Sequence, residues 1–116
     1  MPTVLIVDDH PSFRSTARAL LEDEGFDVVG EAADGESAIE AAKRLRPDVV
    51  LLDVQLPDID GFEVAMRVRS NGQGPRVVLV SSRDGSDFGP LVERSGAAGF
   101  VAKADLSASA IAALIE

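Results

Sequence analysis

The 116-residue chain is 46% hydrophobic and 27% charged, a soluble composition with room for one domain, over residues 1–116, and no second. With 20 acids against 11 bases and a formal charge of −9, this segment is not expected to grip nucleic acid with its own surface. Zero cysteines and one histidine exclude disulfides, thiolate metal sites and cysteine nucleophiles and leave little for zinc, so any metal is an oxygen-loving one.

No apolar run approaches a membrane span, and Met1-Pro2-Thr3 leads into a strand with no signal peptide, so a cytoplasmic location away from membranes is expected. Thr3 to Val7 is a β-branched apolar run that ends in Asp8-Asp9-His10-Pro11. Pro11 suits a first helical turn, and Phe13, Ala17, Leu20 and Leu21 recur on one stripe until Gly25 stops the helix. Asp27 to Ala32 is a short strand whose glycine places it near a sheet edge. Asp34-Gly35 opens a second helix with Ala38, Ala42, Leu45 and Ile39 facing inward, ended by Pro47.

Val49 to Leu52 are four consecutive apolar residues bounded by prolines, the pattern of a strand buried on both faces of a parallel sheet, and Asp53 stands at their end. A loop through Leu56-Pro57 and Asp58 to Gly61 leads to a third helix carrying Phe62, Ala65, Met66 and Arg69. Phe62, Met66 and Phe13 are expected in the core, Asp58 and Asp60 as loop acids, and His10 as a helix-start residue. Asn71 to Pro75 is a loop, Arg76 to Ser81 a fourth strand, and the next helix is firm only from about Pro90 to Arg94. The glycine-rich stretch before it is expected to be the mobile one. Gly99 to Ala102 is a fifth strand ending in Lys103, and Ser107 caps a last helix through Ile115.

Strands alternating with helices imply an α/β fold with a five-stranded parallel sheet, a flavodoxin-like (βα)5 doubly wound fold of strand order 2-1-3-4-5. Parallel strands put their carboxyl ends on one side, so Asp8, Asp9, Asp53, Ser81 and Lys103 should converge on one pocket. Singly, each has a plain reading: Asp53 as a turn opener, Asp8-Asp9 as helix-start acids, Ser81 as a turn residue, Lys103 as a solvated cation. Together, crowded carboxylates ask for a hard cation, and Mg²⁺ suits them. A carboxylate can also accept a phosphoryl group, a transfer that depends on charge neutralisation and positioning, which Mg²⁺ and Lys103 would provide. Ser81 offers a hydroxyl to a phosphoryl oxygen.

The runs LIVDDH (Leu5 to His10), LLDVQLPDIDG (Leu51 to Gly61), VLVSS (Val78 to Ser82) and GAAGFVAKA (Gly96 to Ala104) resemble the receiver domain of bacterial two-component response regulators. The DDHP run and the Lys-Ala pair are most similar to the NarL/FixJ subfamily, whose members usually continue into a helix-turn-helix domain, which would make the output transcriptional. The resemblance implies that Asp53 is the phosphoacceptor and that Asp9, Asp53 and the Gln55 backbone carbonyl bind Mg²⁺, with Asp8 assisting through water. Ser81 would be the switch hydroxyl, Lys103 the phosphate contact and Phe100 the aromatic switch. A sensor histidine kinase would donate the phosphoryl group, and the protein would promote its own phosphorylation and dephosphorylation without being a turnover enzyme.

Three departures stand out: Ala104 follows Lys103 where many members have proline, which argues against a cis bond there; Ser82 replaces a smaller residue; and Phe100 has no hydroxyl. A haloacid-dehalogenase-type phosphatase needs an acid two residues after the nucleophile, where this chain has Gln55. A flavodoxin-like cofactor binder needs a glycine-rich phosphate loop after its first or third strand and Trp or Tyr to stack a flavin, and this chain has neither. An unphosphorylated receiver-like adaptor is the nearer alternative. The last helix is nearly uncharged, so the surface of the fourth helix, fifth strand and fifth helix is expected to bind a partner or a second copy, against the simpler reading that exposed alanines merely favour helix.

Overall fold

The computed structural model describes residues 2–69, 74–82 and 88–115. Thr3–Val7 (β1), Asp27–Ala32 (β2), Val49–Asp53 (β3), Arg76–Ser81 (β4) and Gly99–Ala102 (β5) form one parallel sheet in the order β2-β1-β3-β4-β5. β3 is central, and all five of its residues are buried, as an uninterrupted apolar run requires. β2 is the edge strand expected from its glycine, and its pairing with β1 skips Val29, a bulge beside Gly30.

Alternate side chains of each strand serve two cores. Leu5, Val7, Val50, Leu52, Val77 and Leu79 face α2 (Gly35–Leu45) and α3 (Gly61–Val68), where Ala38, Ala42, Val64 and Ala65 are buried. Val4, Ile6, Val49, Leu51, Val78 and Val80 face α1 (Pro11–Asp23) and α5 (Ala108–Ile115), which contribute Ala17, Leu21 and Ile111. Small alanines on the helices let them lie close over large branched residues of the sheet.

The helix ends obey local chemistry. Asp34 accepts the Ser37 N–H at 2.8 Å to start α2, Asp60 accepts the Glu63 N–H at 2.9 Å to start α3, and Ser107 accepts the Ala110 N–H at 3.0 Å in α5. Gly25, at φ 95°, follows the end of α1. α4 is a single turn, Leu91–Arg94, close to the firm part expected. The stretch expected to be mobile includes residues 83–87, which lie outside the described residues, as do Asn71 to Gln73. Among the described residues no peptide bond is cis, including Lys103–Ala104, and no helix is long and apolar enough to cross a membrane.

Met66 corrects an expectation: it is 44% exposed. The buried face of α3 runs through Gly61, Val64 and Ala65 with Val68 partly covered, and Met66 falls one residue beyond that stripe. Phe62 and Phe13 are only half-buried, each packed on the margin of one core.

Gly61 fixes the loop that hangs from β3. Its N–H donates to the Val54 carbonyl at 2.7 Å, and a Cβ there would collide with the Asp53 carbonyl oxygen and lie 2.7 Å from Val54 Cα. Backbone cannot yield as a side-chain tip can. Gly61→Ala is therefore expected to destabilise the protein by about 2–3 kcal/mol, read from urea unfolding. A loss below a few tenths would mean that the loop relaxes freely.

Candidate functional site

The carboxyl ends of β1, β3, β4 and β5 place Asp8, Asp53, Ser81 and Lys103 together, as the parallel topology requires. Asp8 is 0%, Ser81 1% and Asp53 3% exposed. β3 and β4 pair Asp53 with Val80, so Ser81 stands one residue beyond the acid on the neighbouring strand. Asp9 is exposed at the mouth, and Phe100 lies half-buried on β5. Lys103 sits in a 3-10 turn (Lys103–Asp105) directly after β5.

The Lys103 ammonium reaches back into the acids. Its Nζ lies 2.7 Å from Asp8 Oδ2 and 3.4 Å from Asp53 Oδ2, and 4.4 Å above the centre of the Phe13 ring. Asp53 Oδ1 accepts the Gln55 backbone N–H at 3.1 Å, so the Asp53 carboxylate is held at both oxygens. Gln55 itself is exposed in the loop after β3.

Burial pushes the Asp53 carboxyl above the usual carboxylate range; the Asp8 charge adds to this, while the Gln55 N–H and Lys103 pull the other way. For Lys103, burial favours the neutral amine, but pairing with Asp8 and the charge of Asp53 outweigh it and hold the ammonium above its ordinary value. One cation is thus shared by two buried acids, with Asp9 close by.

A hard cation fits the remaining donors. Asp8, Asp9 and Asp53 each offer a carboxylate oxygen, and these together with a ring nitrogen of His10 lie within 4.8 Å of one another. Asp8 Oδ2 is buried with no donor aligned to hydrogen-bond it, and meets the Lys103 ammonium only as a charge. Three carboxylates with one internal counter-ion make a set that Mg²⁺ suits.

Several contacts escaped the sequence reading. His10 is the helix-start residue expected, capping no N–H with its side chain, but its Nδ1 lies 3.1 Å from both Asp8 Oδ1 and Asp9 Oδ1. Arg14 donates to the Asp8 carbonyl and pairs with Glu31 at 3.0 Å, tying α1 to the end of β1 and to β2. Phe88 stacks edge-on against Phe62, centroids 5.5 Å apart, and lies 5.6 Å from Phe100. Three rings thus connect α3, the segment before α4, and β5.

Asp58 is more than a loop acid. Its carboxylate accepts the N–H groups of Gly35 at 2.8 Å and Glu36 at 3.0 Å, clamping the loop after β3 onto the start of α2. Those hydrogen bonds hold its carboxyl below the usual range.

The chain has known relatives. The family model for the response regulator receiver domain matches residues 4–116. The chain is 40% identical to the transcriptional regulatory protein NarL of Mycobacterium tuberculosis, over 97% of this chain and 53% of that protein. It is 38% identical to the response regulator GacA of Pseudomonas aeruginosa, over 89% and 49%. The chain therefore spans about half the length of these curated relatives. Among solved structures it resembles the signal receiver domain of NarL from M. tuberculosis, with a TM-score of 0.87 and 37% identity over 97% of this chain and 95% of that one. The BeF3-activated receiver domain of RstA from Klebsiella pneumoniae gives 0.84 and 33% over 97% and 94%.

Proposed function

Because the chain belongs to the response regulator receiver domain family, with relatives of the NarL type, we propose that Asp53 accepts a phosphoryl group from a phosphohistidine on a sensor histidine kinase. The observation that carries this reading is the Asp53 carboxylate, buried at the end of the central strand, with an ammonium at 3.4 Å and two further acids around it. An Asp53 oxygen attacks phosphorus and the P–N bond breaks with its electron pair passing to the ring nitrogen; the phosphohistidine, protonated on its other ring nitrogen, leaves as neutral imidazole. Asp8, Asp9, Asp53 and the Gln55 carbonyl would hold Mg²⁺, which when bound supplies positive charge to the phosphoryl oxygens.

The chain's own residues do the rest. The Gln55 N–H keeps the acceptor carboxylate in one orientation. Lys103 exchanges its Asp53 contact for a phosphoryl oxygen, and the Ser81 hydroxyl donates to another. Phe100 answers by packing alone, through its contact with Phe88 and on to Phe62, so phosphorylation biases the surface of α4, β5 and α5. Leu91, 43% exposed, and the groove beside Phe100, Ala110 and Leu114 lie on that surface and suit a second copy or an output domain. We take the protein to be a cytoplasmic signalling component, not a turnover enzyme, and relatives of about twice its length that are named as transcriptional regulators support control of transcription through a domain outside this segment. The BeF3-activated form of a similar receiver supports the same chemistry.

Intact mass after incubation with acetyl phosphate and Mg²⁺ tests this. One phosphoryl group should be gained by the wild type, and none by Asp53→Asn or by wild type with a chelator. Gain in the asparagine variant would move the acceptor elsewhere. Ser81→Ala should retain most phosphoryl uptake yet lose the phosphorylation-linked change in mass by light scattering or in partner binding. An unaltered response would break the link through the hydroxyl.

A further inference from the structure

The acidic site occupies one end of the sheet, and the opposite end carries a different surface. A cleft of about 550 Å³ opens between α2 and α3, where Pro47 and Pro75 lead into β3 and β4. Ile39, Ala42 and Val68 make its apolar floor, and Lys43, Arg46 and Arg67 stand on its rim. In a chain of net charge −9, no acid lines this cleft among the described residues. Arg67 pairs with Glu63 at 3.0 Å, whereas Lys43 and Arg46 have no carboxylate partner among the described residues. Next to it, sharing Gly74, a smaller hollow of about 270 Å³ is flanked by Arg69 and Arg76.

We propose that this cleft docks an acidic polypeptide segment that inserts one apolar side chain between its carboxylates. The apolar floor accounts for the anchor, and Lys43, Arg46 and Arg76, which have no carboxylate partner among the described residues, account for successive acids along an extended chain. A single small anion would leave most of them unused. A nucleic acid is the poorer match, since an overall negative protein repels its backbone and no aromatic side chain lines either hollow for a base to stack on.

Arg46 adds an independent observation. It caps α2 at φ 48° and ψ 57°, the only non-glycine among the described residues at positive φ, in a position where glycine is the unstrained choice. An arginine there places a long cationic side chain at the cleft mouth at a conformational cost that glycine would not carry.

The test uses a fluorescein-labelled synthetic peptide with a central leucine flanked by glutamates, and the unphosphorylated whole chain. Anisotropy should show saturable, salt-sensitive binding, and amide NMR shifts should centre on Ile39, Ala42, Lys43, Val68 and Gly74. Arg46→Gly should weaken binding about tenfold while melting at or above the wild-type temperature, so that lost binding cannot be lost folding. Lys43→Ala should weaken it similarly, with phosphoryl uptake by either variant unchanged. The proposal is overturned by absence of saturable binding, by shifts centred elsewhere, or by wild-type affinity in Arg46→Gly. Equal binding of a serine-for-leucine peptide, or displacement by duplex DNA at the same phosphate-to-carboxylate ratio, overturns it as well.

Discussion

Asp53→Asn is expected to melt higher than the wild type in metal-free buffer, by on the order of 1 kcal/mol, or about 5 °C for a domain of this size. Four influences act on this carboxyl, and their balance sets the sign. Burial and the Asp8 charge disfavour the ionised form, the Gln55 N–H and Lys103 favour it, and the first pair wins. Ionised Asp53 therefore costs stability, and an uncharged amide of the same shape removes that cost while Lys103 keeps its closer partner, Asp8, at 2.7 Å. With the folded-state pKa above the unfolded one, the folded protein holds this proton longer. Stability then falls as pH rises from the ordinary aspartate value through the folded value, and stays lower above it. The asparagine variant should lack that fall, so the two melting curves should diverge on leaving the acidic range. Mg²⁺ at about ten times its dissociation constant should return about 1.4 kcal/mol to the wild type and less to the variant. Equal melting temperatures in chelator at neutral pH would show that Lys103 already neutralises Asp53.

The same buried charge explains why the site was legible in the sequence. An acid that ends an apolar run such as Val49 to Leu52 contradicts its surroundings, and four strand ends, two carrying acids, one a hydroxyl and one a lysine, can be gathered by topology alone. Period and boundary therefore carried the strands, the edge position of β2 and the caps at Asp34 and Ser107, while the sheet order, and with it the convergence of Asp8, Asp53, Ser81 and Lys103, came from the class to which alternating strands and helices belong. What period cannot carry is contact between side chains on elements that meet only after folding. Asp58 reaches the start of α2 from 22 to 23 residues away, and nothing beside it in the chain marks it as different from Asp60. Phe13 repeats on a core stripe and is indeed partly buried, but its ring also carries the Lys103 ammonium, which sequence spacing does not reveal. Gly61 looked like the end of a turn, and only the path of the chain shows the Asp53 backbone pressed against it. Met66 failed for the opposite reason: a short helix has a narrow buried stripe, and one hydrophobic residue outside it is left to solvent.

Lys103→Ala should produce a larger and opposite change to Asp53→Asn, a loss of about 3 kcal/mol in metal-free urea unfolding. The lysine side chain is 17% exposed and its nearer partner 0%, so the pair is shielded from solvent and its removal leaves an uncompensated charge inside. Asp8 Oδ2 already lacks an aligned donor, and without the ammonium it would face Asp53 with nothing between them. The Phe13 ring would lose its cation too, a smaller effect of about 1 kcal/mol. Because the Lys103 pKa is raised, the stabilisation by this pair is full below the ordinary lysine value and disappears only as pH climbs through the higher folded value. The wild type should thus show no loss from this source through neutrality. The decisive comparison adds Mg²⁺. If the loss comes from crowded acids, a divalent cation on the same carboxylates should return more stability to Lys103→Ala than to the wild type, while phosphoryl uptake by the variant stays slow for want of the contact to the incoming group. A loss that Mg²⁺ leaves untouched would assign the lysine's contribution to packing against Phe13 and not to charge.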